Sequence, residues 1–286
     1  LSDYLFSVFL GIVEGLTEFL PVSSTAHLRI VEAIAGTNLT SEYWKAYSVI
    51  IQLGAILAVA WLFWQRLWNF ARTFPRGSEG KHNLFTHPLT LIMVAFVCTA
   101  GPAYLLNKKI GDNLENLWII GAALIIGGIV MWVVDRIFTR VTINRTEDMS
   151  IYNAITIGIV QIASAVFPGT SRSMATIAAG QVCGMSRSAA LEFSFFVSIP
   201  TMIAACGYKL ITAIKLFRQE PAAWSTGGTG NAWLTLAIGF VVSFIVAALV
   251  VKWFTAWVRH HGFVPFAIYR IVLGVGLLVW AWQTNQ

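Results

Sequence analysis

Long apolar stretches separated by short polar ones set the pattern of this chain. Six of them, Lys45–Trp64, Pro88–Leu106, Leu117–Phe138, Ser188–Leu216, Asn231–Trp257 and Val264–Trp282, approach or exceed the length of a helix that crosses a bilayer. Two further stretches break off early. Leu5–Leu20 is apolar but carries Glu14 and Glu18 and stops at Pro21, after which Ala26–Ala35 runs on to Gly36. The region from about Ile151 to Gly184 has the same form around Pro168. Half-length helices about a polar turn predict re-entrant hairpins, and such irregular backbone survives at membrane depth only inside protein or beside a wet cavity.

The two hairpin regions are also alike in sequence. Gly11-Ile12-Val13 matches Gly158-Ile159-Val160, Glu14 matches Gln161, Thr17 matches Ser164, Pro21 matches Pro168 and Ser24 matches Ser171, at an offset of 147 residues. That offset is close to half the chain, as a duplicated unit requires. A hairpin makes no net crossing and three spans make an odd number, so the second copy enters the membrane upside down. The predicted fold is an all-α polytopic membrane protein with an inverted-topology repeat. Each unit is a re-entrant helix hairpin plus three transmembrane helices, giving six full spans and two re-entrant hairpins. Residues 1–286 form a single integral-membrane domain, with repeat one over about 1–143 and repeat two over about 144–286.

Composition agrees: 57% of the 286 residues are hydrophobic and only 11% charged, too few to cover a soluble surface. Many of the 12 Trp residues, such as Trp61, Trp64, Trp68, Trp253, Trp257, Trp280 and Trp282, fall near span ends, where an interfacial belt forms. The net charge of +6 is scattered among loops, which argues against nucleic-acid binding. Cys98, Cys183 and Cys206 have neither disulfide nor zinc spacing. Asp3 stands where a signal peptide would be basic, so the first apolar segment is expected to remain in the mature protein. Arg66, Arg72, Arg76, Lys81, Arg136, Arg140, Arg145, Lys252 and Arg259 outnumber Lys108, Lys109, Lys215 and Arg218 in the alternate loops. The positive-inside rule then places both termini and the first hairpin outside, with the second hairpin dipping in from the cytoplasm.

Candidate chemistry gathers at the hairpin turns. Glu14 and Glu18 lie one helical turn apart on one face, and two carboxylates inside a membrane call for a shared proton or cation. Hard oxygen ligands suit magnesium or calcium, so both residues are candidate ligands of a divalent cation. Ser23, Ser24 and Thr25 bring hydroxyls and helix-start N–H groups, a setting that binds phosphate. His27 follows within a turn, close enough to activate a hydroxyl or to attack phosphorus itself. In the second hairpin Gly169 permits a tight turn, Ser171, Ser173 and Thr176 add hydroxyls, and Arg172 offers a bidentate fork for phosphate.

The stretches EGLTEFLPVSSTAH and PGTSRSMAT resemble the paired signatures of the bacterial undecaprenyl pyrophosphate phosphatases of the bacitracin-resistance type. IQLGAILAV at Ile51–Val59, EFSFFVSIP at Glu192–Pro200 and FVPFAIYR at Phe263–Arg270 are similar as well, so the resemblance covers nearly the whole chain. Ala26 and Met174 depart from the family's usual glycines and add bulk beside the proposed phosphate site. The resemblance implies a divalent-cation-dependent phosphatase of the bacterial inner membrane, its site open to the periplasm. Its substrate would be a polyprenyl diphosphate lipid, its surroundings membrane lipids, and its oligomeric state is open between monomer and homodimer. It implies Glu14 and Glu18 as metal or proton handlers, Ser24 or His27 as nucleophile or activating base, and Arg172 as the diphosphate clamp. Ser23, Thr25, Gly169, Ser171, Ser173 and Thr176 would complete the phosphate cradle. A lipid or anion transporter is the rival from another class, because inverted repeats with broken helices serve alternating access. A type 2 phosphatidic acid phosphatase is disfavoured, since the only histidines after Arg172 are His260 and His261, with no aspartate four residues on.

Overall fold

The computed structural model describes residues 2–36, 41–77, 80–106, 113, 116–219, 225–227 and 230–284. Lys108 and Lys109, which entered the charge comparison, lie outside the described residues. In chain order the helices are α1 Asp3–Thr17, α2 Ser24–Ile34, α3 Glu42–Leu62, α4 Trp64–Thr73, α5 Pro88–Leu105 and α6 Leu117–Ile137. They continue as α7 Ile151–Val166, α8 Arg172–Val182, α9 Arg187–Gln219, α10 Ala232–Val258 and α11 Val264–Thr284. Among the described residues there is no β-strand, only an isolated bridge between Ile143 and Met185.

Six helices, α3, α5, α6, α9, α10 and α11, are long and apolar enough to cross a membrane, and they fall on the six predicted spans. Large apolar side chains face outward, as lipid contact requires: Leu249, Val272 and Trp282 are 66%, 66% and 72% exposed. The chain is an integral membrane protein. One element was not foreseen, because α4 contains Arg66 and Arg72, which entered the charge comparison as loop residues. It begins after Phe63, whose backbone leaves the helical region, and it turns the end of the span into a separate amphipathic helix.

The chain divides into two compact units, each drawing segments from both halves of the sequence. The first comprises Leu1–Phe19, Ser24–Leu62 and Ile199–Lys252. Its core packs Phe6, Leu10, Leu28, Tyr43, Trp44, Tyr47 and Ile51 together. The aromatic hydroxyls and indole are satisfied inside it: Tyr43 Oη donates to Ala232 O at 2.8 Å and Trp44 Nε1 to Thr226 O at 3.1 Å. Ser7 Oγ donates to Thr235 O at 2.5 Å and lies 2.7 Å from Tyr47 Oη. Small residues let α1 lie close to α10, with Gly11 and Gly15 against Gly239, Val242 and Val246.

The second unit comprises Leu20–Ser23, Phe63–Ser198 and Trp253–Gln286. Here α6 packs on α11 through Gly121 and Gly274, and α5 packs on α7, where Thr99 Oγ1 donates to Gly158 O at 2.8 Å. The buried Asp135 carboxylate gathers three segments, accepting from Gln181 Nε2 at 3.1 Å, Arg187 Nε at 2.7 Å and Phe263 N at 3.0 Å. A buried carboxylate this well supplied with donors is stable where an isolated one would not be.

The close seam in the first unit is open to test. A Cβ on Gly15 would lie 2.7 Å from Val246 Cβ and 2.8 Å from Ser243 O, whereas a Cβ on Gly276 would meet nothing within 4 Å. Gly15→Val is expected to destabilise the detergent-solubilised protein by about 1–3 kcal/mol. Gly276→Val is expected to stay within about 0.5 kcal/mol of the native chain. Thermal unfolding followed by tryptophan fluorescence separates the two; equal effects would show that the seam does not limit stability.

Candidate active site

In the first unit, α1 stops short of a full span because Pro21 has no N–H to continue it. Glu18 caps it, with its N–H donating to Glu14 O at 2.9 Å, and Thr17 turns its hydroxyl back onto Val13 O at 2.7 Å. Both acidic side chains are buried, Glu14 to 0% and Glu18 to 7% exposure. The chain returns as α2 at Ser24, whose Oγ donates to Glu18 Oε2 at 2.6 Å. A hydrogen bond this short to a carboxylate is charge-assisted. Thr25 and His27 are half-buried in the first turn of α2. Deeper along α2 lies a polar pair that the sequence reading passed over: Arg29 donates to Glu32 at 3.1 Å, and Ser48 Oγ to the same carboxylate at 2.5 Å. The available signal was two charged residues inside a half-length apolar helix.

In the second unit, the turn between α7 and α8 is built around Gly169, at φ +100°, where a side chain would strike the carbonyl of Ile120. Ser171 then holds φ +70° and caps α8, its Oγ accepting from Met174 N at 3.3 Å. Ser173 Oγ donates to Leu20 O at 3.0 Å and lies 3.0 Å from Ser171 Oγ, so the Leu20–Ser23 turn is fastened to the start of α8. Within that turn Ser23 has φ +74°. Two serines in the left-handed region, each immediately before a half-length helix, are strained positions of about 1–3 kcal/mol that persist only where surroundings enforce them. Arg172 is half-buried, with Nη1 donating to Ser194 O at 3.3 Å. Thr176 sits a turn further on and directs its hydroxyl to Ser194 Oγ at 2.7 Å and Arg172 O at 3.0 Å.

Arg270, on α11, is the largest residue fully sealed inside the protein. Its guanidinium donates to Pro21 O at 3.0 Å, Gly169 O at 2.9 Å, Ala123 O at 3.3 Å and Leu124 O at 3.4 Å. Pro21 and Gly169 each stand two residues before a serine of positive φ, so one side chain holds both turns by carbonyls at the same spacing from that serine, one residue out of register with the sequence match of Pro21 to Pro168. Gly127 leaves the room it occupies, since a Cβ there would collide with the guanidinium. Sequence reasoning noted the FVPFAIYR stretch without giving Arg270 a role, although an arginine within an apolar span was the same signal that singled out Arg172.

The predicted residues thus fall into two groups. Glu14, Glu18, Ser24, Thr25 and His27 belong to the first unit, and Ser23, Gly169, Ser171, Arg172, Ser173 and Thr176 to the second. Chemically, the first group offers an acid pair and a hydroxyl already bonded to a carboxylate. The second offers hydroxyls, helix-start N–H groups and a guanidinium, the donor set of a phosphate site. Among the described residues, no group of three or more His, Cys, Asp or Glu side chains comes together as a metal cage. A buried pair such as Glu14 and Glu18 instead fits magnesium, which binds through one or two carboxylates and completes its shell with water and phosphate oxygens.

Comparison with known proteins gives a consistent result. The family described as "Bacitracin resistance protein BacA" matches residues 7–276. A protein named undecaprenyl-diphosphatase from Koribacter versatilis is 56% identical over 286 residues, covering 98% of this chain and 99% of its own. Undecaprenyl-diphosphatase 2 of Paramagnetospirillum magneticum is 42% identical over 270 residues, covering 94% of this chain and 95% of its own. The undecaprenyl-diphosphatase of Campylobacter jejuni is 39% identical over 274 residues, covering 95% of this chain and 92% of its own.

Arg270→Met removes the donor from all of these buried carbonyls and is expected to destabilise the protein by about 3–5 kcal/mol. Arg270→Lys retains a charge but has a single nitrogen for carbonyls on several sides, so its loss should be smaller but measurable. Thermal unfolding in detergent reads both. A methionine variant as stable as the native chain would remove Arg270 from the framework of the turns.

Proposed function

Because the chain belongs to the bacitracin resistance protein BacA family, we propose that it hydrolyses undecaprenyl diphosphate to undecaprenyl phosphate and inorganic phosphate. That reaction regenerates the lipid carrier of peptidoglycan synthesis and counters bacitracin. The observation that carries the chemical reading is the 2.6 Å hydrogen bond from Ser24 Oγ to Glu18 Oε2. It pairs a hydroxyl with a carboxylate base in a buried setting, the arrangement an activated nucleophile needs.

In this reading Glu18 accepts the Ser24 proton as Oγ attacks the terminal phosphorus. The bond from that phosphorus to the bridging oxygen breaks, and undecaprenyl phosphate leaves with the electron pair. Water then attacks the phosphoserine, inorganic phosphate departs, and the proton held by Glu18 returns to Ser24. Arg172 and the start of α8, with Ser171 and Ser173, carry the donors that suit phosphoryl oxygens and the charge spread over them in a transition state. Gly169 gives the turn its shape, and Ser23, Thr25 and His27 add donors at the start of α2. Thr176, bonded to Ser194 and Arg172 O, positions Arg172 from behind. A magnesium or calcium ion on Glu14 and Glu18 would neutralise the diphosphate.

The same reading takes α1–α2 and α7–α8 as re-entrant hairpins of an inverted repeat. Element lengths support it: α1 and α7 have 15 and 16 residues, α2 and α8 both have 11, and α6 and α11 both have 21. So do the two turns, each with a positive-φ serine and a carbonyl on Arg270, although these positions lie one residue out of register with the offset of 147. In this reading the protein sits in the bacterial inner membrane with the catalytic groups facing the periplasm, an orientation that the excess of basic residues in the alternate loops supports.

Phosphate release from undecaprenyl diphosphate in detergent tests the assignment. Glu18→Gln and Ser24→Ala should each lower turnover by about a hundredfold or more while thermal unfolding stays close to native, and chelation of divalent cations should stop the native enzyme. If Ser24→Ala hydrolyses at the native rate while His27→Ala is inactive, the nucleophile is His27 and the proposed step is wrong.

A further inference from the structure

A cavity of about 470 Å³ lies in the second unit, between α4, the segment leading into α5, and the short turn Thr146–Asp148. None of the residues assigned to hydrolysis lines it. Its size is that of a small-ligand pocket.

His87 lines the cavity and is fully buried. Its Nδ1 accepts from Leu89 N at 3.2 Å as the cap of α5, so in the neutral ring the proton sits on Nε2. That Nε2 has no hydrogen-bond partner among the described residues. Burial, and secondarily the neighbouring His82, lowers the pKa of His87, which keeps the ring a neutral donor at pH 7. A buried donor left without an acceptor is costly and marks a place where a ligand or water belongs.

The charges around it are of both signs. Lys81 and Arg145 supply cations, and Glu147 and Asp148 supply anions. Glu147 is already committed, accepting from Arg66 Nη2 at 2.8 and 2.9 Å, with Arg145 Nε at 3.7 Å. Asp148 is exposed at the cavity. Donors for an anion and an acceptor for a cation therefore line one space, which suits a zwitterion better than a simple anion.

The adjoining chain carries unusually exposed apolar side chains. Trp64 and Trp68 stack on the outer face of α4, and Phe74 and Phe85, the sequence neighbours of the cavity residues Thr73 and Thr86, are 44% and 63% exposed. An amphipathic helix with tryptophans on one face lies in the membrane interface, at the depth of lipid headgroups. We propose that this cavity binds the headgroup of a phosphatidylethanolamine-type phospholipid, its phosphate on His87, Lys81 and Arg145 and its ammonium on Asp148. The proposal is independent of the hydrolytic assignment.

The test uses the full chain, delipidated in detergent and titrated separately with short-chain phosphatidylethanolamine, short-chain phosphatidylglycerol and inorganic phosphate. Bound ligand is counted by native mass spectrometry. Phosphatidylethanolamine should be retained, and Lys81→Gln with Arg145→Gln should weaken it about tenfold, the loss expected for charge-assisted contacts to phosphate. Asp148→Asn should weaken phosphatidylethanolamine but not phosphatidylglycerol. All three side chains are exposed, so these variants should keep the native unfolding temperature and turnover. Retention unaffected by the substitutions would overturn the site. Inorganic phosphate binding as tightly as the lipid would assign the cavity to a soluble phosphate and overturn the lipid occupant.

Discussion

A guanidinium enclosed by main-chain carbonyls is the constraint on which the second unit is built. The Arg270 guanidinium is held by main-chain carbonyl dipoles, two of them from the turns at Pro21 and Gly169. Such an arrangement is stable only if every carbonyl is in place at once, because a buried cation with missing acceptors is among the costliest defects a protein can hold. The glycines follow from it. Gly127 must lack a side chain for the guanidinium to fit, and Gly169 must lack one for the turn to approach Ile120 O closely. The arginine is thus less a member of the chemistry than the reason the turns have a fixed shape.

That shape has a consequence for the helices that follow. With Pro21 and Gly169 held, Ser23 and Ser171 adopt the left-handed backbone and α2 and α8 start one residue later. A half-length helix begun in this way presents its first N–H groups at the turn, where an anion can take them. The strain at the two serines is offset by the surrounding bonds, including those of Ser173 to Leu20 O and Ser171 to Met174 N. Ser24, the first residue of α2, then meets Glu18 across the turn.

Membership of the bacitracin resistance family and this geometry support one another from separate sources. Sequence identity of 56% to a named undecaprenyl-diphosphatase says what kind of reaction to expect. The bond between Ser24 and Glu18 is the geometry on which the proposed step rests. The cavity beside His87 shares no residue with that chemistry, and its mixture of charges and flanking aromatics is what the proposed lipid headgroup would meet.

The spans were legible in the sequence because crossing a membrane depends on length and local apolarity, which neighbouring residues specify among themselves. The half-length helices were legible for a similar reason: Pro21 and Pro168 end a helix without reference to anything distant. The residue types of the site, Glu14, Glu18, Ser24, His27 and Arg172, stood out because polar groups in an apolar segment are costly unless used. Their partners did not stand out. Nothing local distinguishes Glu18 from His27 as the acceptor for Ser24, or sends the Thr176 hydroxyl to Ser194. Nor does anything near Arg270 point to Pro21, 249 residues away. That a new helix would begin at Trp64 was equally hidden, since Phe63 carries no helix-breaking chemistry of its own. Those choices were left to tertiary structure, because a buried hydrogen bond or a packed turn is fixed by which distant segments meet, and only the folded chain brings them together.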